Sequence, residues 1–224
     1  MPRTLGLVTI GQSPRPDMTA DMRPVLGDVE LVEHGALDGL DAGAVQALAP
    51  SDTDEVLVTR LTDGSTVSVA HAAIVPLVQQ AVARAEDDHV AATLVVCTGS
   101  FPEVPARRPV LYAERLLTAG VDGIVGSAPL AALCPDDRQL TMMERKWGGG
   151  REVVPAAASP YLGDPETAVA RAAEKVRARG ARFVVLDCMG YSSRMKDAAE
   201  SAAGIPVLLA RTLVARLAGE VAGR

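Results

Sequence analysis

Leu94-Val95-Val96-Cys97-Thr98-Gly99 and Val185-Leu186-Asp187-Cys188-Met189-Gly190 share one form, a short strand-like run ending in cysteine with glycine two positions on. Runs of this length, bounded by turn residues, read as strands buried on both faces, the kind that fill parallel sheets. Two of them in one chain predict an α/β protein of two similar halves. Ligands in open α/β sheets bind beyond the carboxyl ends of the strands, where both thiols fall, so a small-molecule site in a cleft between the halves is expected. A second, shorter pair occurs in the same order. Leu7-Val8-Thr9-Ile10-Gly11-Gln12-Ser13-Pro14 resembles Gly123-Ile124-Val125-Gly126-Ser127-Ala128-Pro129, each read as a strand emptying into a loop with Gly, Ser and Pro.

Outward from these runs, strand and helix patterns alternate as βα units feeding parallel sheets do. Strands are predicted at Leu5–Ile10, Val29–Glu33, Thr93–Val96, Gly123–Val125, Glu152–Ala156, Arg182–Leu186 and Ile205–Ala210. Helical spacing predicts helices at Asp17–Leu26, Ala42–Leu48, Ala72–Ala85, near Glu114–Ala119, near Arg138–Lys146, at Ser193–Ala202, and through Leu213, Val214 and Leu217. Asp164 reads as an N-cap before Pro165, opening a helix that runs to Arg179 and stops at Gly180. Glu55–Leu61 and Thr66–Ala70 flank Asp63-Gly64 and read as a β-hairpin at a sheet edge. Over 224 residues, 48% are hydrophobic and only 3% aromatic, so the core must be aliphatic.

The composition excludes several classes. Net charge is −6 and the basic residues are scattered among acids, which argues against a nucleic-acid partner. No stretch is long and apolar enough for a membrane span, since Arg211 and Arg216 interrupt the most hydrophobic tail. The apolar run near the N-terminus is too short for a signal peptide. Three cysteines without C-x-x-C spacing read as free thiols, and with them a cytoplasmic setting is expected. His34, His71 and His89 lack ligand spacing, so no metal is expected. Gly148-Gly149-Gly150 lacks the order of a nucleotide loop.

Thr9-Ile10-Gly11-Gln12-Ser13-Pro14-Arg15-Pro16-Asp17 and Leu186-Asp187-Cys188-Met189-Gly190-Tyr191 resemble the AroM family over nearly the whole chain. That family is similar to the aspartate/glutamate racemase superfamily. The resemblance implies two pseudo-symmetric Rossmann-like α/β domains with parallel sheets flanked by helices, the C-terminal segment returning to the first domain. Residues 1–100 with 205–224 would form the first domain and 101–204 the second. It implies cofactor-independent chemistry at a carbon next to a carboxylate, with the superfamily's two catalytic cysteines matching Cys97 and Cys188. Thr98-Gly99 and Met189-Gly190 stand where amino-acid racemases carry Asn-Thr and Thr-His, which puts glutamate or aspartate as substrate in doubt.

Proton removal beside a carboxylate needs a base on one face and an acid on the other, and two facing cysteines supply both. Gly11, Gln12, Ser13, Thr98, Gly126 and Ser127 are candidate donors to a small carboxylate, and Arg15 a candidate positive charge. Gly99, Ser100, Met189, Gly190 and Tyr191 complete the candidate binding set around the thiols. Other readings stay open. The two cysteines also fit as small apolar residues ending buried strands, Ser13 as a turn residue and Arg15 as a surface charge. Function divides among a racemase or isomerase using both thiols, a decarboxylase or lyase using Cys188 alone, and a non-catalytic carboxylate-binding protein. Disulfide chemistry between the two thiols ranks last. Cys134 has no counterpart in the pairing and reads as structural; the Leu213–Val221 face would suit a homodimer or simple burial.

Overall fold

A computed structural model describes residues 4–222. The elements in chain order are β1 (Thr4–Thr9), α1 (Pro16–Leu26), β2 (Glu30–Gly35), α2 (Ala42–Gln46), β3 (Val56–Arg60), β4 (Thr66–Ala70), α3 (His71–Asp87), β5 (Ala92–Val95), β6 (Val110–Tyr112) and α4 (Ala113–Val125). They continue with β7 (Leu130–Cys134), a 3-10 turn at Asp137–Gln139, α5 (Leu140–Trp147), β8 (Val153–Ala157), α6 (Pro165–Ala178), β9 (Phe183–Leu186), α7 (Ser193–Ala203), β10 (Val207–Leu209) and α8 (Ala210–Ala222).

Two four-stranded sheets carry the fold, in the orders β2-β1-β5-β6 and β10-β9-β7-β8. Every neighbouring pair in both is parallel. Read from the other edge, the second sheet repeats the first, with β7, β8, β9 and β10 in the places of β1, β2, β5 and β6. The central strands are covered on both faces, so β5 and β7 are buried at every position. The expected α/β architecture of two pseudo-symmetric parallel sheets is the one observed.

The chain divides into two compact units, one formed by the residues up to Leu116 together with those from Val214 on, the other by Leu117–Leu213. Both divisions fall inside helices, α4 and α8, and the last turns of α8 return to the first unit. The core of the first unit is aliphatic, with Ile74, Val78, Ala81, Val82 and Ala85 of α3 at helical spacing against β-strand residues such as Val8 and Val95. In the second unit α6 contributes Val169, Ala172, Ala173 and Val176. Its start is fixed as its residues predict: the Asp164 carboxylate accepts the Thr167 N–H at 3.2 Å and Pro165 takes the first helical position.

The strands β6 and β7 lie where no strand was expected, and two expected features are placed differently. Gly123–Val125 is the last turn of α4 and no strand. Leu117, Val121 and Val125 recur every fourth residue and are all buried, a helical stripe that outweighs the short Gly-Ile-Val run, and Ile124 is left half exposed. Gly126, at φ +58°, terminates it. The strand that matches β1 is β7, which lies just beyond. The hairpin forms as predicted but makes a two-stranded sheet of its own instead of extending a sheet edge. It rests on the loop after β1: a Cβ at Gly11 would run into the Arg60 carbonyl, so only glycine lets the hairpin backbone come this close.

Candidate functional site

Because the strands are parallel and β1 and β5 are neighbours, the loops that follow them leave the same end of the first sheet. Gly11, Gln12, Ser13 and Arg15 follow β1, and Cys97, Thr98, Gly99 and Ser100 follow β5. In the second unit Cys188, Met189, Gly190 and Tyr191 follow β9, beside the loop that follows β7. Ser127 and Gly126 are not with them. They precede β7 and stand at the amino end of the second sheet, because the run before them is helical.

The loop after β1 is held together from within. The Gly11 N–H donates to Thr9 Oγ1 (3.2 Å), the Gln12 N–H to the Arg60 carbonyl (3.3 Å) and the Ser13 N–H to Asp38 Oδ1 (2.7 Å). The Ser13 hydroxyl donates to Asp38 Oδ2 at 2.7 Å, and the Gly35 N–H reaches the same oxygen at 2.6 Å. Asp38 thus organises the loop, and Ser13 has its proton committed. Arg15 is 4% exposed; its Nε and Nη2 hold the Asp17 carboxylate at 2.8 and 2.9 Å. It braces the start of α1. Gln12 Oε1 accepts the N–H and hydroxyl of Thr62, both at 3.0 Å, which leaves its amide nitrogen as the side-chain donor turned to other partners.

The two thiols are built alike. Cys97 and Cys188 each stand two residues beyond a buried strand and each is partly exposed. The Gly99 N–H reaches Cys97 Sγ at 3.4 Å and the Gly190 N–H reaches Cys188 Sγ at 3.3 Å. A backbone N–H aimed at sulfur favours the thiolate. Both glycines lie under a neighbour: a Cβ at Gly99 would meet Leu57 Cδ2 of the hairpin at 2.9 Å, and one at Gly190 would collide with the Tyr161 phenol. His71 Nε2 contacts the Ser100 carbonyl, and the His71 ring lies 5.2 Å from that of Phe101, which ties the first thiol loop to α3.

Around Cys188 the surroundings are more polar. Asp187 is 3% exposed and its carboxylate receives Lys146 Nζ at 3.0 Å on Oδ1 and 2.9 Å on Oδ2, with Trp147 Nε1 at 2.8 Å. The charge next to the thiol is therefore matched by an ammonium. Arg211, 1% exposed, donates through Nε (3.0 Å) and Nη2 (2.7 Å) to the Met189 carbonyl. The Tyr191 hydroxyl donates to the Ala158 carbonyl at 2.7 Å, and burial raises this phenol well above its ordinary pKa. Asp38, Lys146, Trp147, Tyr161 and Arg211 have no local signature, since each acts on a residue far away in the chain.

Cys134 ends β7 at 0% exposure, and burial, reinforced by the neighbouring Asp187 and Cys188, pushes its thiol from 9.0 up to about 12. At pH 8 it is expected to alkylate on the order of a thousandfold more slowly than an ordinary thiol, as mass spectrometry of iodoacetamide-treated protein will show. Because its folded pKa is raised, its contribution to stability is complete below the ordinary thiol value and is lost as pH climbs from there towards about 12.

Among the described residues no group of three or more His, Cys, Asp or Glu side chains gathers as for a metal ion, and no helix is long and apolar enough to cross a membrane.

The sequence matches the AroM protein family over residues 5–222. The chain belongs to the AroM family. Among curated proteins none matches it. Solved structures similar to this AroM-family chain include a liganded mutant of arylmalonate decarboxylase, at 14% identity and a TM-score of 0.66, covering 100% of this chain and 93% of that one. Glutamate racemase from Francisella tularensis subsp. tularensis SCHU S4 in complex with D-glutamate is similar at 11% identity and a TM-score of 0.62, covering 98% and 80%. The maleate isomerase Iso from Pseudomonas putida S16 is similar at 13% identity and a TM-score of 0.56, covering 95% and 89%. At these identities the likeness is one of fold, and it places the AroM-family chain in the architecture of the aspartate/glutamate racemases.

Proposed function

We propose that this AroM-family chain is a cofactor-independent enzyme of proton transfer, a racemase or isomerase acting at the carbon next to the carboxylate of a small acid. The observation that carries the proposal is the matched pair of thiols, each partly exposed and each receiving the N–H of the glycine two residues on. One sulfur, as thiolate, takes the α-hydrogen as a proton, and the electron pair spreads into an enolate-like carboxylate. The other thiol then delivers its proton to the opposite face and is left as the thiolate. No electron is gained or lost overall, so the cycle needs no redox partner. Gln12 supplies the amide N–H group, and Thr98 and Ser100 hydroxyl groups, for the substrate carboxylate, with Gly99, Met189, Gly190 and Tyr191 shaping the two thiol loops. The structural relatives, a glutamate racemase, an arylmalonate decarboxylase and a maleate isomerase, support this class of chemistry.

A second reading is decarboxylation in which Cys188 alone returns the proton. The residues that precede the two thiols favour it, since Cys188 follows a buried carboxylate paired with an ammonium where Cys97 follows Val96. Both readings are tested by incubating the protein in D2O with a panel of small 2-substituted carboxylates, aryl-substituted malonates and maleate, followed by proton NMR. Deuterium entering the α-position of one class without added cofactor is the expected result. Loss of carbon dioxide from a malonate, with no exchange into any monocarboxylate, would replace the first reading by the second, and silence across the panel would defeat both.

A further inference from the structure

We infer that Arg211 is a positioning residue for Cys188, holding the Met189–Gly190 peptide so that its N–H is aimed at the sulfur, and that this makes Cys188 the thiolate of the pair. Two bonds from the guanidinium end on the Met189 carbonyl, and the N–H that reaches Cys188 Sγ at 3.3 Å belongs to Gly190. Carbonyl and N–H are the two ends of one peptide unit. In a trans peptide they point in opposite directions, and this one is not among the cis bonds of the chain. A cation gripping the oxygen at one end therefore fixes the direction of the N–H at the other. It also draws electron density towards the oxygen, which strengthens the N–H as a donor. A guanidinium buried to 1% exposure and directed at a backbone carbonyl has a reason to be there if that peptide must carry positive character to a thiolate.

The first thiol has the same N–H, but the chain position that matches Arg211 carries the opposite charge. Arg211 is the second residue after β10; the second residue after β6, the matching strand of the first sheet, is Glu114. An anion stands in the chain where the other half has a cation. The other ionisable groups around Cys188 do not reverse this. Asp187 is paired with Lys146, Cys134 and Tyr191 are buried with raised pKa values and remain neutral, and the phenol of Tyr161 lies over Gly190. The assignment of base to Cys188 and acid to Cys97 rests on the proposed function; the unequal titration of the two thiols does not.

The test is the pH profile of iodoacetamide alkylation in the full chain, with Cys97 and Cys188 followed separately by mass spectrometry in the wild type, Arg211→Gln and Arg211→Lys, and far-UV circular dichroism as the check on folding. In the wild type the midpoint for Cys188 lies below that for Cys97. Arg211→Gln keeps a donor near the carbonyl and removes the charge; it is expected to raise the Cys188 midpoint by about one pH unit, roughly tenfold slower alkylation at pH 7, with Cys97 unchanged. Arg211→Lys restores part of that shift. A folded Arg211→Gln in which Cys188 titrates as in the wild type, or in which both thiols move together, overturns the inference. If the neutral variant does not fold, the wild type decides: a Cys188 midpoint at or above that of Cys97 overturns it. These rates need no turnover, so a protein inert towards every carboxylate leaves them standing, and an unmoved Cys188 leaves the proton-transfer reading standing.

Discussion

Cys188→Ser is expected to lower interconversion of the two substrate forms about a thousandfold, and Cys97→Ser to do the same if the reaction uses two bases. A serine hydroxyl fits the same loop and accepts the same glycine N–H, but it is far too weak an acid to be held as an alkoxide near neutral pH. The loss is that of one general acid–base group, ~10²–10⁴ in rate. The pair of variants discriminates more sharply than either alone. In a racemase each single variant loses interconversion, while exchange from the face still served by an intact thiol can persist. In a decarboxylase only Cys188→Ser is silent. The measurements are the initial rate of interconversion by chiral chromatography and deuterium entry in D2O by NMR, run for both variants beside Cys134→Ser, which is expected to keep full activity because Cys134 is sealed off at 0% exposure. Full activity in Cys188→Ser would sink every reading in which this thiol takes part in the chemistry.

Lys146→Met is expected to destabilise the fold by about 3–5 kcal/mol, because it strands a buried carboxylate. The side chain of Asp187 has no exposure, that of Lys146 only 11%, and the two oxygens of the acid depend on Lys146 and Trp147. At this chain length the fall in Tm is on the order of 10 °C. Restoring apolar character on both sides should recover most of it. The double variant Lys146→Met, Asp187→Val places before Cys188 the residue type that Val96 supplies before Cys97, and leaves the indole N–H of Trp147 without its acceptor. Urea unfolding of the two variants and the wild type gives the comparison. A double variant no more stable than Lys146→Met would show that Asp187 does more for the fold than offset one cation.

The strands that end at the thiols were readable because Leu94-Val95-Val96 and Val185-Leu186 are uninterrupted apolar runs with turn residues after them, and the hairpin because Asp63-Gly64 joins two alternating segments. β7 was not. Its residues, Leu-Ala-Ala-Leu-Cys, include two alanines with little preference for strands, while Gly123-Ile124-Val125 nearby has the β-branched look that α4 overrides through the spacing of Leu117, Val121 and Val125. Among the candidate site residues, the two cysteines and their glycines were visible as a repeated pattern. Arg15 was not legible as a buried brace, since its pairing with Asp17 depends on how α1 begins. Nor was Arg211, which in the sequence only interrupts an apolar tail. Its value lies in a contact made 22 residues back along the chain.

Each unit draws part of its final helix from the other half's share of the chain, since α4 leaves the first unit at Leu116 and α8 enters it again at Val214. Val121 and Val125 of α4, which group with the second unit, are buried, as are Val214, Ala215 and Ala218 of α8, which group with the first. A polypeptide ending after α4 would therefore lack the turns of α8 that group with the first unit and carry turns of α4 that group with the second. The two halves thus repeat one strand order without being interchangeable: a cation follows β10 where an anion follows β6, so the repeat departs from itself in the charge it carries at matching places in the chain.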